Sequence, residues 1–280
     1  MLQFFIILQG DQYMELRRNI YFYHQRDVDL LLKVAPLFEM AERYGFTIVS
    51  DYRKANIIAS IGDDGTFLQA VRKTGFRDDC LYMGISTKNS LSMYCDFRLS
   101  DTSKMIEAII SNEHIEVRRY PMIEVNIDGQ GTFPCLNEFS IRSSIIKTLV
   151  IDVFVDQLHF ETFRGDGLIV ATPTGSTAYN KSVNGSIVDP LLSCMQVSEV
   201  ASVNTNRYRT LGTSFIVGSE RTLTLKVISE DNDHPTMGMD NEALSIRHVD
   251  KILIKISDKK IKTLKLKDNS FWDKVKRTFL

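Results

Sequence analysis

IIASIGDDGTFLQAV, residues 57–71, passes from an apolar run interrupted only by Ser60, through an acidic pair flanked by glycines, into apolar residues at helical spacing. The run Ile57–Ile61 suits a short buried strand, and Gly62–Thr66 a turn. A helix beginning near Thr66 then has Phe67, Leu68, Ala70 and Val71 available for packing. Strand, turn and helix in that order are the repeating unit of a parallel sheet with helices on its faces. In such sheets ligands bind beyond the carboxyl ends of strands. A helix N-terminus there presents free backbone N–H groups and the positive end of its dipole. Two adjacent carboxylates, Asp63 and Asp64, would repel a phosphate. The residue types leave three readings open: a Mg²⁺ ion bridging carboxylate and phosphate, an Asp acting as general base toward a hydroxyl, or a plain loop whose Asp caps the helix.

The same alternation extends on both sides. Phe4–Leu8 and Phe46–Ser50 are expected as strands, and Asp27–Tyr44 as a helix ended by Gly45, with Pro36 a point for a kink or break. Leu81–Ile85 is a further strand and Thr102–Ile110 a further helix. Beyond residue 115 the period changes. Ile123–Asp128, Leu149–Val155, Thr222–Ile228 and Ile252–Ile256 alternate with period two, as in an antiparallel sheet, and Pro190–Val203 is expected to be a helix interrupting it. The expected organisation is α/β plus all-β. A doubly wound α/β domain covers residues 1–105 and an antiparallel β-sandwich residues 106–262. The tail, 263–280, returns to the N-terminal domain. In that tail Lys262–Lys267 extends as a short strand. Ser270 caps a helix that docks through Phe271, Trp272, Val275 and Phe279.

A chain of 280 residues implies about two domains. Lys and Arg total 34 against 35 Asp and Glu, a net charge of −1, which argues against a nucleic-acid or membrane partner. Cys80, Cys95, Cys135 and Cys194 lack CxxC spacing and read as reduced, buried thiols. The first ten residues have no basic n-region or cleavage site, and no stretch reaches the ~20 apolar residues of a membrane span. A cytoplasmic location is expected.

Two further segments carry chemistry. FRGDGLIVATPTGSTAYNKS, residues 163–182, places Asp166 between two glycines and ends in a run of hydroxyls and backbone N–H groups suited to sugars and phosphates. Tyr179 offers a stacking face. Gly175–Ser182 approaches the P-loop pattern, but Asn180 stands where its second Gly belongs, and a P-loop needs a parallel unit. Asn137 and Glu138, side by side, suit a ribose or the edge of a polar strand.

Taken together, GDDGTFLQA, LNEFSIRSS and FRGDGLIVATPTGSTAYNKS resemble, in that order, the NAD kinases, whose patterns read GGDGT, NE and GDGxxxxTPTGSTAY. The resemblance runs from Ala55 into the C-terminal tail. It implies transfer of the ATP γ-phosphoryl group to the adenosine-ribose 2′-hydroxyl of NAD, with Mg²⁺ or a similar ion, by a homodimer or homotetramer. It implies that Asp64 takes the hydroxyl proton and that Gly65 lets backbone approach the ligand. Asn137 and Glu138 would hold the dinucleotide. Asp166 would accept from the nicotinamide amide, with Arg164 beside it. Thr177, Ala178, Tyr179, Asn180, Lys181 and Ser182 would line the groove, and Ala201 and Asn241 would touch the ligand. Asp63, Thr66 and Lys88 fall on the phosphate-donor side. A lipid kinase sharing the GGDGT-like turn, or a dinucleotide sensor without transfer activity, are the rival readings.

Two departures from the family pattern stand out. Asp63 replaces its second Gly, a residue that supplies positive φ and close phosphate approach. Like charges 4 Å apart repel by about 4 kcal/mol at an effective dielectric of 20. The stretch Ser86–Met93 also lacks the glycines of the family's next loop.

Overall fold

A computed structural model describes residues 19–25, 28–111, 113–143, 147–228, 235–245 and 248–280. The strand expected at Phe4–Leu8 lies outside them. The chain divides into two units, one formed by residues up to Arg119 together with Ile261–Leu280, the other by Tyr120–Lys260.

The first unit contains β1 (Asn19–His24), α1 (Val28–Arg43), β2 (Thr47–Ile48), β3 (Ile57–Gly62), α2 (Asp64–Lys73), β4 (Leu81–Ser86), β5 (Cys95–Arg98) and α3 (Thr102–Ser111). β2, β1, β3, β4 and β5 pair in that order, every pair parallel. Strand order reverses between β1 and β3, which makes the carboxyl end of β3, where GDDGT begins, a switch point of the kind that binds ligands. Alternation along the strands separates two helical layers. Ile57, Ala59, Ile61, Leu81, Met83 and Ile85 pack in one core with Val34 and Leu37 of α1 and Met105 and Ile106 of α3. Tyr82 meets Phe67 of α2, and its hydroxyl pairs with Thr74 Oγ1 at 2.7 Å. Pro36 sits inside α1 without ending it. The first boundary falls after Arg119, not at 105, because α3 and Ile115 belong to this core.

The second unit is a sandwich. It uses most of β6 (Ile115–Ile127), then β7 (Thr132–Cys135), β8 (Glu138–Arg142), β9 (Leu149–Val155), β10 (Leu158–Gly165), β11 (Gly167–Ala171), the short α4 (Tyr179–Ser182), β12 (Cys194–Val200), β13 (Phe215–Gly218), β14 (Leu223–Val227), β15 (Thr236–Met239), β16 (Glu242–Ser245) and the first part of β17 (Lys251–Leu266). One sheet runs β13-β12-β11-β8-β15-β16, and β10-β9-β14-β17 forms the other layer. Inward residues of both interleave: Phe139, Ile141, Val170 and Val197 from the first, Ile151, Val153, Leu225 and Ile254 from the second. Residues 194–200 are the strand β12, not part of a helix. Met195 and Val197 enter the sandwich core while Gln196 and Ser198 bond to Ser186 and Asn180 on the opposite side. Leu191 and Leu192, ahead of this strand, are exposed.

β17 is one 16-residue strand whose last part, paired to β4 at Thr263, returns to the first unit. It leads to α5 (Phe271–Phe279), whose N-terminus carries a capping box between Ser270 and Asp273. The tail belongs to the first unit, and the expected stripe is covered only in part, with Val275 buried and Phe271 and Phe279 half-buried. Trp272 is 50% exposed, and the residues α5 buries are Lys274 and Val275.

Candidate active site

Polar residues cluster in each unit. In the first, Asp63 is the N-cap of α2, and its Oδ1 accepts from Thr66 N at 2.9 Å and Thr66 Oγ1 at 3.0 Å. The Thr66 N–H lowers the Asp63 carboxyl below the usual range, and exposed Lys88 adds a smaller pull. Asp63 has φ −113°, so no positive φ is needed there. The demand falls one residue earlier: Gly62 has φ +157°, and a Cβ on it would stand 2.4 Å from Thr66 Oγ1. Asp64 points elsewhere. Its Oδ1 accepts from Ser92 Oγ at 2.6 Å and Tyr94 N at 2.8 Å, and its Oδ2 from Met93 N at 3.1 Å. The glycine-free loop therefore serves as a clamp on this carboxylate. Gly65 sits in the first turn of α2, where a Cβ would meet only Asp63 Oδ1 at 3.4 Å. Packing does not require glycine there, and glycine costs a helix up to about 1 kcal/mol relative to alanine.

In the second unit Asn137 and Glu138 are buried at the start of β8. Asp240, at φ +52° in the two-residue Asp240–Asn241 turn between β15 and β16, gathers their backbone. Its carboxylate accepts from Leu136 N at 3.1 Å, Asn137 N at 2.6 Å and Glu138 N at 3.3 Å. The TPTGS run fastens the same segment from the other side. Thr172 Oγ1 and Thr174 Oγ1 both donate to the Leu136 carbonyl, Thr172 N donates to the Asn137 carbonyl, and a Cβ at Gly175 would lie 2.0 Å from that oxygen. Glu138 also accepts from the backbone N–H of Tyr179, so the NE and TAY segments meet. Gly175–Ser182 forms a tight turn and the four-residue α4 between antiparallel strands, which is not a P-loop.

The residues expected to line a groove divide by exposure. Thr177, Ala178 and Tyr179 are half-buried, with the Arg142 guanidinium 5.9 Å from the Tyr179 ring centre. Lys181 and Ser182 are exposed. Asn180, expected as a ligand contact, is fully buried, donating to the Ser176 and Ser186 carbonyls and accepting from Ser198 Oγ, so its side chain ties the turn to β12. At the corner between β10 and β11, Gly165 and Gly167 are required by packing: a Cβ would stand 2.6 Å from Phe163 and 2.4 Å from the Ile141 carbonyl, respectively. Asp166 between them is exposed. Arg164 stacks on Tyr208 at 4.4 Å, and exposed Ala201, at φ +46°, completes the corner beside Gly165. Exposed Asn241 follows Asp240 in its turn.

Burial, and then the neighbouring Asp240 carboxylate, push Glu138 up to about 8, against the opposing hydrogen bond from Tyr179. Its Oε2 is buried without a hydrogen-bond partner among the described residues. The folded chain thus keeps a proton that the unfolded chain releases near 4.5, so this group's contribution to stability falls as pH rises from that value to about 8. Glu138→Gln cannot ionise, so its Tm should climb relative to the unaltered chain between about pH 5 and 8.5. Parallel Tm curves would show that Glu138 does not hold that proton.

Among the described residues no three His, Cys, Asp or Glu side chains group as a metal cage, and no helix is long and apolar enough to cross a membrane. Asp240, the Ser92–Tyr94 clamp and Thr172 were not singled out from sequence. The Asp-Asn turn between alternating segments was the available signal for Asp240.

Residues 136–266 match the ATP-NAD kinase C-terminal domain family. NAD kinase 2 of Bacillus subtilis (strain 168) is 63% identical over 94% of this chain and 98% of that protein. NAD kinase 2 of Geobacillus kaustophilus (strain HTA426) is 62% identical over 95% and 100%. Among solved structures, yeast NADH kinase complexed with NADH superposes with a TM-score of 0.77 at 17% identity, covering 93% of this chain and 87% of that one. An NAD kinase from Archaeoglobus fulgidus in complex with ATP superposes with a TM-score of 0.71 at 20% identity, covering 93% and 97%. With sequence likeness over nearly its whole length and the same fold, the chain belongs to the NAD kinase family.

Proposed function

We propose that the chain transfers the γ-phosphoryl group of ATP to the 2′-hydroxyl of the adenosine ribose of NAD, forming NADP and ADP. The observation that carries this reading is the state of Asp64. Two donors occupy Oδ1 and one occupies Oδ2. A carboxylate has about four acceptor positions, so Oδ2 keeps one for a substrate hydroxyl. The 2′-hydroxyl gives its proton to that oxygen, the O2′–Pγ bond forms, and the bond from Pγ to the bridging oxygen of ADP breaks. Positioning and charge stabilisation supply most of the rate in phosphoryl transfer. Gly65 is kept, on this reading, for backbone approach to the ligand. Asn137 and Glu138 hold the dinucleotide, Asp166 receives the nicotinamide amide, and Arg164, Ala201 and Asn241 flank it. Thr177, Ala178, Tyr179, Lys181 and Ser182 line the groove. A divalent ion enters with the triphosphate, as Mg–ATP. Self-association as a dimer or tetramer, and a cytoplasmic setting, belong to the same reading.

Incubation with Mg–ATP and NAD, followed by an enzymatic assay for NADP, is the deciding experiment. NAD binding without NADP would favour the sensor, and phosphorylation of a lipid alone would favour the rival kinase. Asp63 bears on the rate. Its ionised cap neutralises the helix end that a phosphate would use. Asp63→Gly should raise kcat/KM for ATP about threefold or more by removing a partly screened like charge, with KM for NAD unchanged. The cap loss costs only a few tenths of a kcal/mol, since glycine is tolerated there. An unchanged kcat/KM would mean that Asp63 points away from the site, and a lowered one with a raised Mg²⁺ requirement would mean that it holds a metal ion.

A further inference from the structure

Asp96 on β5 is completely buried, and both Lys265 of β17 and Lys274 of α5 close on its Oδ1, Lys265 at 3.2 Å. Two lysines on one buried carboxylate is more charge than an ion pair needs. Each lysine has a second partner. Lys274 Nζ donates to the Met93 carbonyl at 3.1 Å and Lys265 Nζ to the Tyr94 carbonyl at 2.5 Å. These belong to the residues whose N–H groups clamp Asp64. Lys265 also lies 5.8 Å from the ring centres of both Phe67 and Tyr94, which stack on each other. We propose that Lys265 and Lys274 are positioning residues for the transfer reaction, which fix the Met93–Tyr94 peptides so that their N–H groups hold Asp64 in its working orientation. This rests on the reading of Asp64 as the base.

The charge balance separates this role from a structural one. With both lysines protonated, two cations share the Asp96 carboxylate. Burial, and then Lys265, draw Lys274 down to about 7, as expected for the surplus member. Arg118 is the further cation acting on it. Replacing Lys274 by an apolar isostere leaves Asp96 paired one to one with Lys265, so the fold need not weaken. The Met93 carbonyl, however, loses its donor.

The test is a double-mutant cycle. Lys274→Met should lower kcat about tenfold with KM for NAD and ATP within twofold and Tm nearly unchanged, and the exposed control Lys276→Met should behave as the unaltered chain. In an Asp64→Asn background, Lys274→Met should cost less than about twofold further, because it acts through the group already removed. Equal fractional losses in both backgrounds, or an unchanged kcat, would overturn the proposal. Near-normal turnover of Asp64→Asn would instead sink the reading of the base. If Lys274→Met does not fold, the cycle is run with Lys265→Met, which severs the Tyr94 link. Failure of both to fold would assign the lysines to the fold alone.

Discussion

Asp64→Asn is expected to lower kcat by at least about 10²-fold, the low end for loss of a general base, while KM for NAD changes little. Asparagine keeps one carbonyl oxygen for Ser92 and Tyr94. It sets an amide NH₂ against the Met93 N–H and offers a substrate hydroxyl no base. The clamp is local to the first unit, and Asn137 and Glu138, proposed to hold the dinucleotide, keep their own hydrogen bonds. The loss should therefore appear in turnover and not in affinity. Steady-state kinetics with NAD varied at saturating Mg–ATP, together with a Tm, separate these quantities. Turnover close to that of the unaltered chain would mean that the base lies elsewhere or that the reaction needs none.

Asp240→Ala should damage both stability and binding. Three backbone N–H groups converge on this carboxylate. Stranding a buried donor costs roughly 1–3 kcal/mol, and partial exposure lowers the sum, so about 3 kcal/mol is expected overall. At roughly 2–4 °C per kcal/mol for a chain of this size class, Tm should fall by about 6–12 °C. With Asn137 and Glu138 no longer fixed, KM for NAD should rise about thirtyfold, equivalent to about 2 kcal/mol. Asp240→Asn keeps an acceptor and tolerates the positive φ, so it should fall between the two. A lowered Tm with an unchanged KM would mean that Asp240 serves the fold and that the NE pair does not touch NAD.

What the sequence made legible follows from its periodicities. Ile57–Ile61 is apolar apart from Ser60, as suits a central parallel strand covered on both faces, and the turn after it could only lie at the sheet's carboxyl edge. Four of the sandwich strands, β6, β9, β14 and β17, announced themselves by alternation. Residues 190–203 misled because the polar side chains of β12 that bond within the fold look like the polar face of a helix. Trp272 misled because amphipathic spacing names a stripe without saying which side is covered; a lysine, which by composition belongs in water, took the buried place. The sequence offered candidates where a residue type carries the chemistry, at Asp64, Asn137, Glu138 and Asp166. It offered none where backbone N–H groups do the work. The clamp of Met93 and Tyr94 is made of peptide groups that any residue possesses, and Asp240 meets its partners from 102 to 104 positions away.

The return of the chain to its first unit has a consequence for biogenesis. During synthesis the segment through Arg119 emerges first, yet Asp96 finds its two cations only when Lys265 and Lys274 have been made. Until then the carboxylate has no counter-charge, and closing the core around it is costly. The Tyr120–Lys260 segment is contiguous and can condense on its own as it leaves the ribosome. Maturation of this polypeptide should therefore run against the order of translation, with the part begun first completed last. A nascent chain stalled before Lys265 should leave the N-terminal segment open to protease while the middle segment is already resistant.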